Sequence, residues 1–283
     1  MYKKMLFVIL VLSLSISACS FTITLPEIKP VGPTQVDDIA LPTPVEDGTV
    51  QLTLSFGAGT LLLHPGTDSL VSGTASYNVE DLKPVVTMEE LTASIVQGNW
   101  KMESIPSVGD VKNEWDLSLG VVPMDLIIEA GAYKGEFELG GLALKNLTVS
   151  DGASDVELTF SEPNTTGMTL LKYKTGASNV SLTGLGNADF SSMEFDSGAG
   201  NYTLDFSGTL RRDGSVSIET GVSNITLVIP TGIPVQITVD GGLSNVTFGS
   251  GWVKNGNVYT QEGSGPRLTI VIGIGAGNLV LTR

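Results

Sequence analysis

The chain has 283 residues, 41% of them hydrophobic and only 6% aromatic, with 30 acidic against 15 basic side chains and a net charge of −15. That balance excludes nucleic acid as a partner and electrostatic adhesion to anionic lipid, both of which require basic patches. One cysteine, Cys19, excludes a disulfide framework.

The first element is a leader. Lys3 and Lys4 give a basic start, Met5–Ile16 is a short apolar stretch, and Ile16-Ser17-Ala18-Cys19 ends it. The stretch is too short to span a bilayer and reads as a secretory signal, residues 1–18. The ending resembles the bacterial lipobox. That resemblance implies cleavage before Cys19 and acylation of its thiol and new amino group. Several acyl chains would make the attachment stable, with the lipid as the link to a membrane. Residues 19–47 read as a tether, because Pro26, Pro30, Pro33, Pro42 and Pro44 favour extended backbone and remove ladder donors.

From Thr49 onward the chain alternates apolar and polar residues, as half-buried strands do. Leu52-x-Leu54, Gly57 and Leu61-x-Leu63 form the first copy of a recurring pattern: apolar-x-apolar, Gly, two small residues, Asn or a substitute, apolar-x-apolar. Residues 70–125 are less regular, with a charged stretch at Glu89–Val96 that predicts a turn of helix. From Leu126 the repeat is nearly unbroken. Its turn glycines are Gly131, Gly152, Gly176, Gly198, Gly221, Gly242 and Gly275; Asn179, Asn201, Asn224, Asn245 and Asn278 fill the Asn slot, and Asp155 stands in once. A spacing of roughly 22 residues predicts stacked supersecondary units, an all-β single-stranded β-solenoid over 48–283. The glycines, Gly198 and Gly221 among them, are expected at positive φ in tight corners. The asparagines are expected to stack as a ladder. The last copy, GAGNLVL, ends two residues before the terminus. Its apolar strand is therefore expected to pair with an earlier segment, the first rung Leu52–Leu63, while 70–125, with Trp100 and Trp115, covers an end or flank.

These repeats, with SYNVEDLKP (Ser76–Pro84), WDLSLGVVPMDLIIEAGA (Trp115–Ala132) and GLGNADF (Gly184–Phe190), resemble the bacterial toastrack domains, β-solenoid modules of envelope proteins related to cell-wall-active antibiotic response proteins and adhesins. The resemblance implies no catalytic residues and no cofactor.

The chemistry-bearing residues are few. His64 is the lone histidine, so no multi-histidine metal site or histidine-rich triad exists. Adjacent carboxylates such as Glu80-Asp81 and Glu89-Glu90 point to opposite faces of a strand. Asp151 with Asp155, or Asp189 with Asp196, could meet at a turn and bind calcium. Six Asn-x-Ser/Thr sequons, at Asn146, Asn164, Asn179, Asn201, Asn224 and Asn245, read as by-products of turn asparagines followed by outward hydroxyls. Thr203, Thr226 and Thr247 read as one rank on successive rungs, but no parallel second rank accompanies it, as an ice-binding face would need. The sequence therefore points to a non-enzymatic, lipid-anchored envelope scaffold, with an unidentified protein or envelope partner and a link to envelope stress implied by the family. A glycan-binding or glycan-cleaving β-helix is the alternative; a groove lined by aligned aromatic and charged side chains would favour it.

Overall fold

The computed structural model describes residues 31–98 and 111–283. The expectations for Cys19, the leader and Trp100 lie outside the described residues. The described chain is all-β apart from one 3-10 turn, η1 (Glu80–Leu82). Its strands are β1 (Gln35–Leu41), β2 (Val50–Thr67), β3 (Val71–Tyr77), β4 (Pro84–Glu89), β5 (Thr92–Gln97), β6 (Asn113–Gly120), β7 (Pro123–Glu138), β8 (Ala143–Thr159), β9 (Met168–Thr183), β10 (Phe190–Asp205), β11 (Gly214–Val228), β12 (Val235–Phe248), β13 (Val253–Asn255), β14 (Val258–Gln261) and β15 (Leu268–Thr282). Together they form one 15-stranded sheet.

Eight long strands stack in parallel in the order β2, β7, β8, β9, β10, β11, β15, β12. Each carries the repeat pattern, and the register follows the pattern residue for residue. Tyr173 lies beside Phe195, Phe195 beside Ile218, and Ile218 beside Ile272. Beyond the glycine, Leu182, Leu204, Leu227 and Leu281 align in the same way. These inward columns are fully buried or nearly so. Each large apolar side chain withdrawn from water contributes about 1.5–3 kcal/mol, and period-two alternation delivers all of them to one face. Phe160, Leu185, Phe206 and Ile229, in the segments that follow the strands, are also buried, and their backbone amides bond to the end of the next strand in the stack.

The glycines sit where the strands bend, for a reason other than the expected one. Gly198 and Gly221 do not have positive φ; in three rungs that conformation falls two residues after the corner glycine, at Gly59, Gly200 and Gly277. The corner glycines stack on one another instead. A Cβ on Gly131, Gly176, Gly198 or Gly221 would lie 2.3–2.5 Å from the carbonyl oxygen of Gly57, Gly152, Gly176 or Gly198. Glycine is required because adjacent backbones approach too closely for any side chain.

Three further expectations are corrected. The tether does not run to residue 47, because Gln35–Leu41 forms β1, paired antiparallel with β3. No helix forms at Glu89–Val96: β4 and β5 make a hairpin there, turned by Glu90 at φ 50. The C-terminal strand does not pair with the first rung. β15 lies between β11 and β12, parallel to both. The first rung is covered by the irregular segment: β5 pairs with the first arm of β2, and β6, carrying buried Trp115, pairs with the second. At the opposite end β14 covers only the first arm of β12.

Candidate functional site

The bend concentrates the polar residues of successive rungs. Just before the glycine column, one outward row runs Glu129, Ser150, Lys174, Asp196, Glu219. The next residues along each strand are Ala130, Asp151, Thr175, Ser197 and Thr220. All of these except Glu129 line, with Gly176, a shallow, open groove of about 790 Å³ along the corner.

Beneath the groove the side chains are bonded to one another. Tyr173 and Tyr133 donate to Asp151 Oδ2 at 2.9 and 3.3 Å, and Thr175 donates to Oδ1. The Thr175 and Ser178 hydroxyls share a hydrogen bond, as do those of Thr220 and Ser223 at 2.6 Å. Burial raises the hydroxyl pKa of Tyr133 and Tyr173 well above the ordinary tyrosine value, and the Asp151 charge adds to this. Burial raises Tyr202 as well. On the groove surface Lys174 Nζ stands 3.8 Å from Asp196 Oδ2, and on the adjoining outward row Lys172 pairs with Glu194.

This arrangement can hold a polar or cationic group weakly, but it does not assemble an acid–base pair. Asp151 already takes three donors, so its lone pairs serve the tyrosines rather than a ligand. His64 Nε2 lies on the other arm, 3.0 Å from Asp116 Oδ1. The tyrosines that could have offered a stacking platform lie under the groove: Tyr133 is 6% exposed, Tyr173 0% and Tyr202 2%.

The suggested calcium pairs do not meet. Asp155 aligns with Asn179 in the outward row beyond the corner, away from Asp151. Asp189, 3% exposed, is neutralised by arginines: Arg212 forks onto it with Nε and Nη2 each at 2.8 Å, and Arg211 Nη2 lies 3.1 Å away. Among the described residues no group of three or more His, Cys, Asp or Glu side chains could hold a metal ion. The Asp189 cluster went unread in the sequence. Its signal is Arg211-Arg212 in a chain so short of bases.

The asparagines do form a ladder, outside the core rather than inside it. Asn201 donates to Asn179 at 2.9 Å, Asn224 to Asn201 at 3.0 Å, and Asn278 to Asn224 at 2.8 Å, all on the exposed face in extended backbone. Asn278 lies between Asn224 and Asn245 in register. Val280 likewise separates Thr226 from Thr247, which breaks the threonine rank. The sequon at Asn164 is fully buried: its amide donates to the carbonyls of Leu144 and Thr166 and accepts from Leu144 N. Among the described residues no helix is long and apolar enough to cross a membrane.

The fold is similar to the crystal structure of a "putative cell adhesion protein" from Clostridium sporogenes ATCC 15579, with a TM-score of 0.51, 21% identity, and coverage of 88% of this chain and 99% of that one. A "putative adhesin" from Bacteroides fragilis NCTC 9343 matches with a TM-score of 0.41 and 14% identity over 91% of this chain and 99% of that one. At these identities the likeness concerns the fold. No curated protein matches the sequence. The family model for the N-terminal domain of toast_rack, DUF2154, matches residues 31–170 and 164–228. The chain, by the extent of that match, belongs to the toast-rack family.

Proposed function

We propose that this protein is a non-enzymatic, lipid-anchored scaffold of the bacterial cell envelope, a β-solenoid in which each turn contains one long strand, bent at its corner glycine, and a return segment. The observation that carries the reading is the consumption of polar chemistry within the stack. Asp151, Asp189, the hydroxyls of Thr175 and Ser178 and the asparagine row are engaged with other rungs, and Thr220 and Ser223 bond each other within β11. What faces outward is a long, regular, stiff surface suited to holding or presenting a partner. The lipobox at Ile16–Cys19 supports export and anchoring, with residues 20–34 as the spacer. Family membership supports the envelope and a role in its stress response. The glycan reading has the charged groove in its favour, but its tyrosines lie buried below the surface.

Cell fractionation tests the anchor. Wild-type protein is expected in the membrane fraction with incorporated labelled palmitate, and Cys19→Ser in the soluble fraction without it. A Cys19→Ser protein that stays with the membrane, beside an unlabelled wild type, would overturn the anchoring.

A further inference from the structure

Beyond the glycine column the second arms of the strands form a sheet of their own, running from β1 through β3, β6, β2 and the long strands to β12. Both of its edges lack a strand partner among the described residues. At one end the edge is β1, seven residues long, which pairs only with β3. At the other it is Gly241–Phe248 of β12. There β15 pairs on one side, and β14 stops at Thr238 on the other. On the first-arm side the outermost strands are β4, six residues paired only with β5, and β13, three residues paired only with β14.

The two edges are of similar length, and the chain segments that carry them differ in charge. Between residues 31 and 98 the chain has nine carboxylates and one lysine, Lys83; between 229 and 283 it has two carboxylates and three bases, Lys254, Arg267 and Arg283. The β1 edge exposes Asp38 and Val36, the latter 59% accessible. The β12 edge has none of the usual protection against strand addition. From Gly241 to Val253 there is no charge and no proline. A cleft of about 360 Å³ adjoins it, lined by Phe248, Trp252, Val280 and Arg283, and Phe248 and Val280 are each 37% exposed.

We infer that copies of this chain associate head to tail, the β1 edge of one adding to the Gly241–Phe248 edge of the next. The union continues one sheet across copies. It satisfies two rows of backbone groups and joins the acidic end of one molecule to the less acidic, base-bearing end of another. Because the two surfaces differ, the contact is heterologous and does not stop at a dimer. The inference does not depend on the lipid anchor.

Cysteine cross-linking of the full chain in intact cells, wherever the protein resides, tests it. A short bismaleimide bridges residues on neighbouring strands, which lie about 4.8 Å apart. With Asp38→Cys and Asn245→Cys in one chain, a ladder of dimers, trimers and higher species is expected. Either substitution alone should give only the wild-type pattern. Adding Thr247→Lys, a charge on the open edge, or raising the salt should shorten the ladder. A double variant without products beyond the wild-type pattern would overturn the inference. So would a dimer formed by Asn245→Cys alone, which would mean that two β12 edges meet each other. Thermal melts check that the variants fold; if the double variant does not, Val36→Cys with Thr247→Cys, also at exposed positions, takes its place.

Discussion

Two kinds of residue hold this stack in register. The first is the corner glycine. A Cβ on Gly221 would lie 2.5 Å from the Gly198 carbonyl oxygen, whereas one on Gly242 would lie 3.0 Å from that of Gly275. Gly221→Ala is therefore expected to destabilise the fold by about 1–3 kcal/mol, with Gly242→Ala costing less and Thr226→Ala, an outward hydroxyl, costing little. Urea denaturation of the three variants checks the ranking, and equal small effects would count against backbone proximity as the reason for glycine. The second is the bonded asparagine, whose value depends on burial. Asn164→Ala leaves the Leu144 amide and two carbonyls without partners inside the protein and should cost about 2–4 kcal/mol. Asn224→Ala, in the exposed row, exchanges its bonds for water and should cost about 1 kcal/mol or less.

The tyrosines act at the scale of the element, because the hydroxyls of Tyr77, Tyr133 and Tyr173 bridge strands. Tyr77 of β3 donates to Asp37 of β1 at 2.8 Å, and burial with that carboxylate pushes its pKa up to about 12. Tyr133, Tyr173 and Tyr202, on β7, β9 and β10, are raised too, by burial first. A tyrosine whose folded pKa lies above its unfolded value holds its proton more tightly when folded. Its contribution is complete below about pH 10 and is lost as pH rises through the folded value. Stability should therefore fall steeply above about pH 10, and Tyr173→Phe should make the fall shallower. Chemical denaturation across that range, with tyrosinate absorbance followed in parallel, checks the slope. A flat profile to pH 12 would mean that these hydroxyls are not held as described.

Much of the element scale was legible in the sequence, and the unread part has physical causes. Period-two alternation around each glycine fixes which side chains face inward, and the Asn slot predicts a row. Strand order is another matter. GAGNLVL matches GVSNITL and GLSNVTF equally well, so local pattern cannot say that β15 lies between their strands; only the three-dimensional register does. β1 was hidden because Asp37-Asp38 and the flanking prolines resemble a solvated spacer, while the strand is held by its Ile39 and Leu41. The role of the glycines and the Asp151–tyrosine cluster were hidden for one reason: both are contacts between rungs, some 22 residues apart in the chain.

For the whole molecule, the account requires that the stack be one stiff, continuous body with its C-terminal strand in the interior. Removing Leu268–Arg283 would then leave the facing edges of β11 and β12 bare and expose Ile218 and Ile237, which β15 flanks in register. Such a truncation should unfold or aggregate. Hydrogen exchange on the intact, folded protein tests the same point without altering the sequence. Amides of β15 are expected to exchange as slowly as those of β10 and β11, because both of its edges are paired, while Gly241–Phe248 of β12 exchanges sooner. A β15 that exchanges early, as a frayed terminal strand does, with β11 and β12 protected as neighbours, would contradict the strand order on which the scaffold reading rests.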